Sequence, residues 1–399
     1  MKAEVELRKF PYPFQAALSI CSDIDHTDSA GKFLKIQEFM NKEIGITFTN
    51  TFFPFHEKDE FSLFSSCPDD KKIIIEHIRN GNIEAFHGYG EKDDFIRKDA
   101  QRTLAELRKN DVFLKMWIDH ASFPGNLCKY RCFGKGDIPG QKEYHLDLTA
   151  DYGVKYIWTD SLTSIVGQDA PVTLKSILLI IDFKHFFSSG LNAVKTVLKI
   201  IMGLLKSKKY RFFPANKPVH IITLRDKRKM YEFIRYNNYF KGAAAGDSFS
   251  ELYYLISKKV LKNLISRKAY SLVYVHLGKN FDLDQDKNRL TIQALRNLRQ
   301  EADSGRIYVA SSLRLLDYYI KHKYLNWDYS LVNGNGCITI KSIDDPVRGS
   351  YIPGPEDLMN FTFYVPDHVN IKIKINQLEI KRILKNKLDY SGKMSISIG

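Results

Sequence analysis

Ala16-Ala17-Leu18-Ser19-Ile20-Cys21-Ser22-Asp23-Ile24-Asp25-His26 is the stretch from which the fold can be read. A short apolar run of this length reads as a strand, and it ends in two acids and a histidine. The arrangement returns along the chain. Asn82–Phe86 runs into His87, with Glu91 four residues on; Val112–Ile118 runs into Asp119 and His120; Tyr270–Val275 runs into His276. In barrels of parallel strands the side chains at the C-terminal strand ends converge on one mouth, so polar residues repeatedly placed there read as an active site. Four instances in order point to an enzyme.

Between these runs, strands and helices alternate. Strands are expected at Gln15–Cys21, Gly45–Thr51, Asn82–Phe86, Val112–Ile118, Val154–Trp158, Val219–Leu224, Leu272–Val275 and Arg306–Ala310, and helices at Gly31–Asn41, Pro68–Asn80, Asp94–Lys109, Ser248–Ser266 and Asn288–Ser304. Such alternation implies a mostly parallel sheet with crossover helices, and seven or eight units favour a closed or nearly closed barrel. Pro68-Asp69-Asp70 places acids at the positive end of a helix dipole, and Ser248 before Glu251 has capping-box spacing. After about Tyr324 the character changes: Cys337–Lys341, Phe361–Val365 and Ile371–Ile375 read as strands around the turn Asn333-Gly334-Asn335-Gly336. The expected organisation is an α/β chain: a distorted (β/α) barrel over residues 1–325, an insertion over 171–218, and a small β-rich appendage over 326–399.

A chain of 399 residues, 44% hydrophobic and 13% aromatic, can bury a core of barrel size plus a smaller domain, which excludes global disorder. The five cysteines, Cys21, Cys67, Cys128, Cys132 and Cys337, are odd in number and scattered, which suits a reducing compartment. Cys128 and Cys132 have no second Cys or His pair to complete a zinc knuckle. The N-terminus is too charged for a secretory signal, and no window approaches the roughly 18 uncharged apolar residues of a spanning helix, so a cytoplasmic protein is expected. The net charge of +14 is dispersed over no recognisable reading module, so nucleic acid is not the expected partner. A local source is Leu191–Lys209, where Leu191, Val194, Val197, Leu198, Ile201, Leu204 and Leu205 follow helical spacing among five lysines. Such a helix either packs on the barrel with its lysines in water or lies against the inner face of an anionic membrane.

Asp23 and Asp25 have the strand period, so both can point into one mouth. In a metal hydrolase such a pair divides two tasks, one acid binding the cation and the other taking a proton from water. The competing reading is that Asp25 caps the next helix, but Asp28 and Ser29 are better placed for that. His87 and Glu91 share a face if the chain turns helical after Gly88 and Gly90, a metal-ligand spacing; otherwise Glu91 starts an acidic surface run. His120 precedes the tight Gly125-Asn126 loop and reads either as a site residue or as a buried, hydrogen-bonded histidine. An imidazole at His276 is expected to protonate a leaving amine, since the free side chain titrates close to neutral pH. Arg225-Asp226 reads as an ion pair orienting another side chain or as a rim salt bridge. Phosphate-binding and dinucleotide loops are absent, as is Gly-x-Ser-x-Gly.

Taken in order, these sites resemble the polysaccharide deacetylase family, also called carbohydrate esterase family 4. Ala17-Leu18-Ser19-Ile20 through Asp23-Ile24-Asp25 looks like its first motif, an apolar strand ending in paired acids. His87-Gly88-Tyr89-Gly90-Glu91 matches the first residue of its His-x-x-x-His motif, and Val273-Tyr274-Val275-His276 looks like its final strand ending in histidine. Ile307–Ser311 and Leu315–Tyr319 resemble the segment closing the domain in some members, while Trp117–His120 and Tyr156–Trp158 look like a divergent branch.

The resemblance implies a deacetylase-type barrel binding one divalent cation, usually zinc, and removing acetyl groups from N-acetylated or O-acetylated sugars. Asp23 would be the base, Asp25 and His87 metal ligands, and His276 the acid, with Glu91 or His120 completing the metal set. Asn126, Trp158, Arg225 and Asp226 are expected either to bind substrate or to orient the site's side chains. The substrate would be an acetylated sugar or glycan, free, lipid-linked or polymeric. The departure at Glu91 keeps a rival in view: a barrel without metal that binds a glycan or a protein partner, docked on a membrane by Leu191–Lys209.

Overall fold

The computed structural model describes residues 5–127, 133–182, 185–207, 209–238, 247–332, 334–366 and 370–399; Cys128 and Cys132 lie outside them. The chain divides into two compact units. The larger comprises Leu18–Gln300 and Val309–Leu313; the other joins the residues up to Ala17 with Glu301–Tyr308 and Arg314–Gly399.

The larger unit is organised on a curled sheet with a ten-strand path. Its strands are β1 (Ala16–Ser22), β2 (Thr49–Phe52), β3 (Ile83–His87), β4 (Met116–Ile118), β5 (Tyr156–Trp158), β6 (Leu162–Thr163), β7 (Val219–Thr223), β8 (Lys229–Phe233), β9 (Arg235–Tyr236) and β10 (Tyr270–Val275). In space they run β6-β9-β10-β1-β2-β3-β4-β5-β8-β7. The pairings from β1 to β5, and those of β5 with β8, β9 with β6 and β9 with β10, are parallel. All seven residues of β1 are buried, as a strand covered on both faces requires. The crossover helices include α1 (Ala30–Glu38), α2 (Pro68–Arg79) and α3 (Arg97–Lys109). On α3 the buried residues Ala100, Thr103, Leu104 and Leu107 fall at helical spacing, and Ala100, Leu104 and Leu107 join a core with Phe86, Trp117 and Ile157.

Three local expectations are corrected. Val219–Leu224, read as a barrel strand, is the edge strand β7, antiparallel to β8. The strand inside the sheet is Lys-Met-Tyr-Glu-Phe, whose charges disguised it. Its Glu232 is nonetheless buried, satisfied by His220 at 2.7 Å and by the hydroxyls of Thr159 and Ser161 at 2.5 and 2.7 Å. The expected helix Ser248–Ser266 is broken at Ile256 and restarts as Lys258–Ser266, where the Ser257 hydroxyl accepts from the Val260 N–H. The Ser248 capping box is not formed, because its hydroxyl donates to the Glu251 carboxylate at 3.1 Å instead of accepting from the backbone. Among the described residues of 171–218 lie the α-helices α4 (Leu174–Leu178) and α5 (Phe186–Leu204).

The smaller unit is β-rich. Glu6–Leu7, Thr362–Tyr364, Ser395–Ile398 and Ile383–Asn386 form one antiparallel sheet. The hairpin Leu325–Val332 with Asn335–Asp345 anchors another, in which Asn370–Ile375 pairs in parallel with Asn335–Asp345. Ile338, Ile340, Phe363, Ile373 and Ile396 fill its core.

Candidate functional site

The C-terminal ends of β1, β3, β4, β5 and β10 surround a cavity of about 360 Å³. Asp23, Asp25, His87, Asp119, His120, Trp158, Asp160, Tyr274 and His276 line it, together with Ala121 and Ser122.

Each strand end is held by backbone bonds that outlast the strand. The Asp23 N–H donates to Val275 O at 2.9 Å and the Ile24 N–H to the Thr51 hydroxyl at 2.8 Å, so the two acids leave β1 on a fixed path. His87 is the last residue of β3, and the Gly88 N–H then donates to Ile118 O at 2.6 Å. The helical turn expected after Gly88 does not form. Gly88 and Gly90 take φ of 54° and 93°, and a Cβ on Gly90 would stand 1.9 Å from Phe55 O, so the chain presses flat against its neighbour and cannot coil. The Asp119 N–H continues the ladder to Trp158 O at 3.0 Å. Asn126 braces the His120 backbone: its Oδ1 accepts from His120 N–H at 3.1 Å and its Nδ2 donates to His120 O and Ala121 O at 2.7 and 3.1 Å. Asn126 is thus a buried strut behind the cavity.

Three donor side chains converge. His87 Nε2 stands 2.7 Å from Asp25 Oδ2, His120 Nδ1 stands 3.1 Å from Asp25 Oδ1, and the two imidazole nitrogens are 3.0 Å apart. Asp25 Oδ2 is buried yet makes no properly directed hydrogen bond. Ligand atoms about a tetrahedral zinc are separated by about 3.3 Å, so a small outward movement would let these three hold the ion. Asp25, His87 and His120 therefore fit a divalent cation on donor chemistry and proximity. Burial would raise the Asp25 carboxyl, but His87, His120 and His276 hold it well below the usual carboxylate range. Burial pulls His87 down. It also pulls on His120, but the Asp25 and Glu91 carboxylates outweigh it and push that imidazole up to about 9.

Glu91 stands outside this trio. Its Oε1 is 3.2 Å from Nε2 of His120, on the far side of the ring from Asp25, and its Oε2 is 3.4 Å from His56 Nε2. A carboxylate there fixes the ring and its tautomer in the way that outer partners of metal-binding histidines do. Asp23, Asp25 and His276 make a second possible grouping, but Asp23 already has a cation. Arg235 grips it through Nη1–Oδ1 at 2.6 Å and Nη2–Oδ2 at 3.0 Å, with side chains only 0% and 2% exposed. The guanidinium carbon also lies 3.6 Å from the Trp158 ring centroid and 4.2 Å from that of Tyr274.

His276 Nε2 lies 3.4 Å from Asp25 Oδ2, and its Nδ1 lies 3.5 Å from Asp247 Oδ2; Lys279 Nζ meets the Oδ1 of Asp247 at 3.0 Å. Burial pulls His276 down, but Asp247 and Asp25 outweigh it and push it up to about 10.

Of the residues selected by sequence, Asp23, Asp25, His87, His120, Trp158 and His276 line the cavity. Arg225 and Asp226 do not, and they turn to different partners. Arg225 Nε pairs with Asp137 at 2.8 Å, whereas Asp226 accepts from Arg228 Nε at 3.1 Å. Sequence reasoning missed Arg235 and Asp247. Arg235 carried a signal, a single charge inside the apolar run Phe233-Ile234-Arg235-Tyr236; Asp247 follows no strand-like run. No protein-family model matches the chain, and no curated protein matches it significantly.

Proposed function

We propose that this chain is a metal-dependent hydrolase that removes an acetyl group from an N-acetylated or O-acetylated sugar. The observation that carries the reading is the convergence of Asp25, His87 and His120 beside an Arg-held Asp23 and a carboxylate-backed His276 at one mouth. The curled, mostly parallel sheet supports it, and we read it as a distorted (β/α) barrel of the deacetylase type. Ile234 alone separates β8, which pairs with β5, from β9, which pairs with β10, so one bent segment would close the curl into seven positions.

Asp25, His87 and His120 would hold the cation, zinc being the usual ion for such a donor set. Bound there, it supplies Lewis acidity towards an acetyl carbonyl. Asp23 takes the proton of the attacking water, its carboxylate aimed by the two-pronged contact with Arg235. His276 presents Nε2 to the cavity with Asp247 behind Nδ1, so it holds a proton where a departing amine or alcohol needs one. Glu91 positions His120, and Asn126 fixes the backbone beneath it. A cavity of about 360 Å³ lies in the range of small-ligand pockets and suits one sugar unit.

The test joins metal content to turnover. Elemental analysis should find one zinc or similar ion per chain, lost in His120→Ala. On an N-acetylated oligosaccharide, Asp23→Asn and His276→Ala should each lower kcat by about a hundredfold or more. A chain that takes up no metal from excess zinc refutes the proposal and favours a barrel that binds glycan or protein. Full activity in both variants refutes the assigned roles.

A further inference from the structure

Helix α5 is turned inside out. Its buried face carries Ser189, Asn192, Ala193 and Thr196, small or polar residues. The opposite face carries Phe187, Leu191, Val194, Leu198, Ile201 and, at the C-cap, Leu205, each between 46% and 90% exposed. These six recur at alternating steps of four and three, which places them in one stripe about 100° wide. Leu174 and Leu178 of the neighbouring α4 are exposed as well.

Hydrogen bonds hold this orientation. Asn192 Nδ2 donates to the Ser164 hydroxyl at 3.1 Å and to the carbonyl of Asn238. The Ser189 hydroxyl accepts from the Asp182 N–H at 2.9 Å and donates to His185 O at 2.7 Å. Rolling the helix to bury its leucines would break the Asn192 contacts. A contiguous apolar stripe kept in the open in this way marks an interaction surface.

Charge identifies the occupant. From Lys184 to Lys217 the sequence has eight Lys and Arg and no Asp or Glu. Lys195 and Lys206 are exposed beside the stripe. An apolar stripe bordered by cations, in a sequence stretch free of acids, matches an anionic lipid interface, where apolar side chains enter the acyl boundary and lysines meet headgroups. Among the described residues no helix is long and apolar enough to cross a membrane, so α5 would lie along the surface. We propose that α5 docks this protein onto an anionic lipid bilayer, whatever reaction the cavity performs.

Flotation with phosphatidylcholine vesicles, with and without phosphatidylglycerol, tests this on the full chain. The protein should float with the anionic vesicles at least about tenfold more than with the neutral ones, and added salt should weaken the binding. Leu191→Glu/Leu198→Glu should abolish it. Lys195→Glu/Lys206→Glu should reduce it about tenfold or more, with circular dichroism confirming that both variants fold. Failure of the wild type to float, or equal flotation with both vesicles, overturns the proposal. So does a concentration-dependent dimer in sedimentation that both variants dissolve, because a second copy would then be what covers the stripe.

Discussion

Replacing Arg235 with methionine probes the deepest charge pair at the site. Arg235 and Asp23 are joined by two contacts of 2.6 and 3.0 Å, with side chains 0% and 2% exposed. Methionine keeps much of the apolar stem, so the loss is largely electrostatic. An uncompensated buried carboxylate costs about 3–5 kcal/mol. Losing the stack between Trp158 and Tyr274 adds about 1 kcal/mol. Arg235→Met should therefore cost about 5 kcal/mol, a large part of the roughly 5–15 kcal/mol that a folded protein has in total. Arg235→Lys keeps a cation but loses the planar fork, and should fall between wild type and Arg235→Met. Adding Asp23→Asn to Arg235→Met removes the stranded charge and should restore about 2 kcal/mol. Equilibrium unfolding in urea, read from the midpoint at constant slope, measures all four proteins. A loss below about 1 kcal/mol in Arg235→Met, or a double variant no more stable than Arg235→Met, would refute the assignment of Arg235 as the counter-charge of Asp23.

Glu91→Gln should weaken zinc binding about tenfold to a hundredfold in chelator competition, because the outer carboxylate on His120 Nε2 becomes neutral; unchanged affinity would show that Glu91 does not act through His120. Gly90→Ala should destabilise by at least about 2 kcal/mol in thermal or urea unfolding, since φ is 93° and the added carbon would meet Phe55 O at 1.9 Å. A wild-type midpoint would contradict that packing. His145 is buried, with Nε2 2.6 Å from Gly125 O and Nδ1 2.9 Å from the Thr149 hydroxyl, and burial pushes it down to about 4. The unfolded chain takes up this proton near pH 6.5 and the folded chain does not. Its contribution is therefore complete above pH 6.5 and shrinks by about 3 kcal/mol as the pH falls to 4. Unfolding between pH 7 and 4 should show a flatter acid slope in His145→Gln, and an identical slope would remove His145 as the cause.

What could be read in the sequence was set by pattern. β1, β3 and β10 announce themselves as apolar runs ending in charge, and Asp23, Asp25, His87 and His276 are legible for the same reason. β8 and β9 escape because Glu232 and Arg235 are charges satisfied inside the protein, and periodicity counts a charge as exposed. The division of labour between Glu91 and His120 also had to wait. It depends on which side of one imidazole each carboxylate occupies, and spacing along a chain holds no information about that. Leu191–Lys209 shows the converse: its helical period is plain in the sequence, but the direction of its apolar side is decided by the bonds of Asn192 to Ser164 and Asn238.

The two residues that fasten α5 through Asn192, Ser164 and Asn238, lie just past the ends of β6 and β9. Those strands run parallel to one another and β9 runs parallel to β10, whose end leads into His276, so the helix is tethered at the end of the sheet where the cavity opens. A protein resting on α5 would search for its substrate in a plane instead of a volume. Headgroup-borne sugars would then meet the cavity at a local concentration set by their surface density, and a weak grip on each sugar would suffice for turnover.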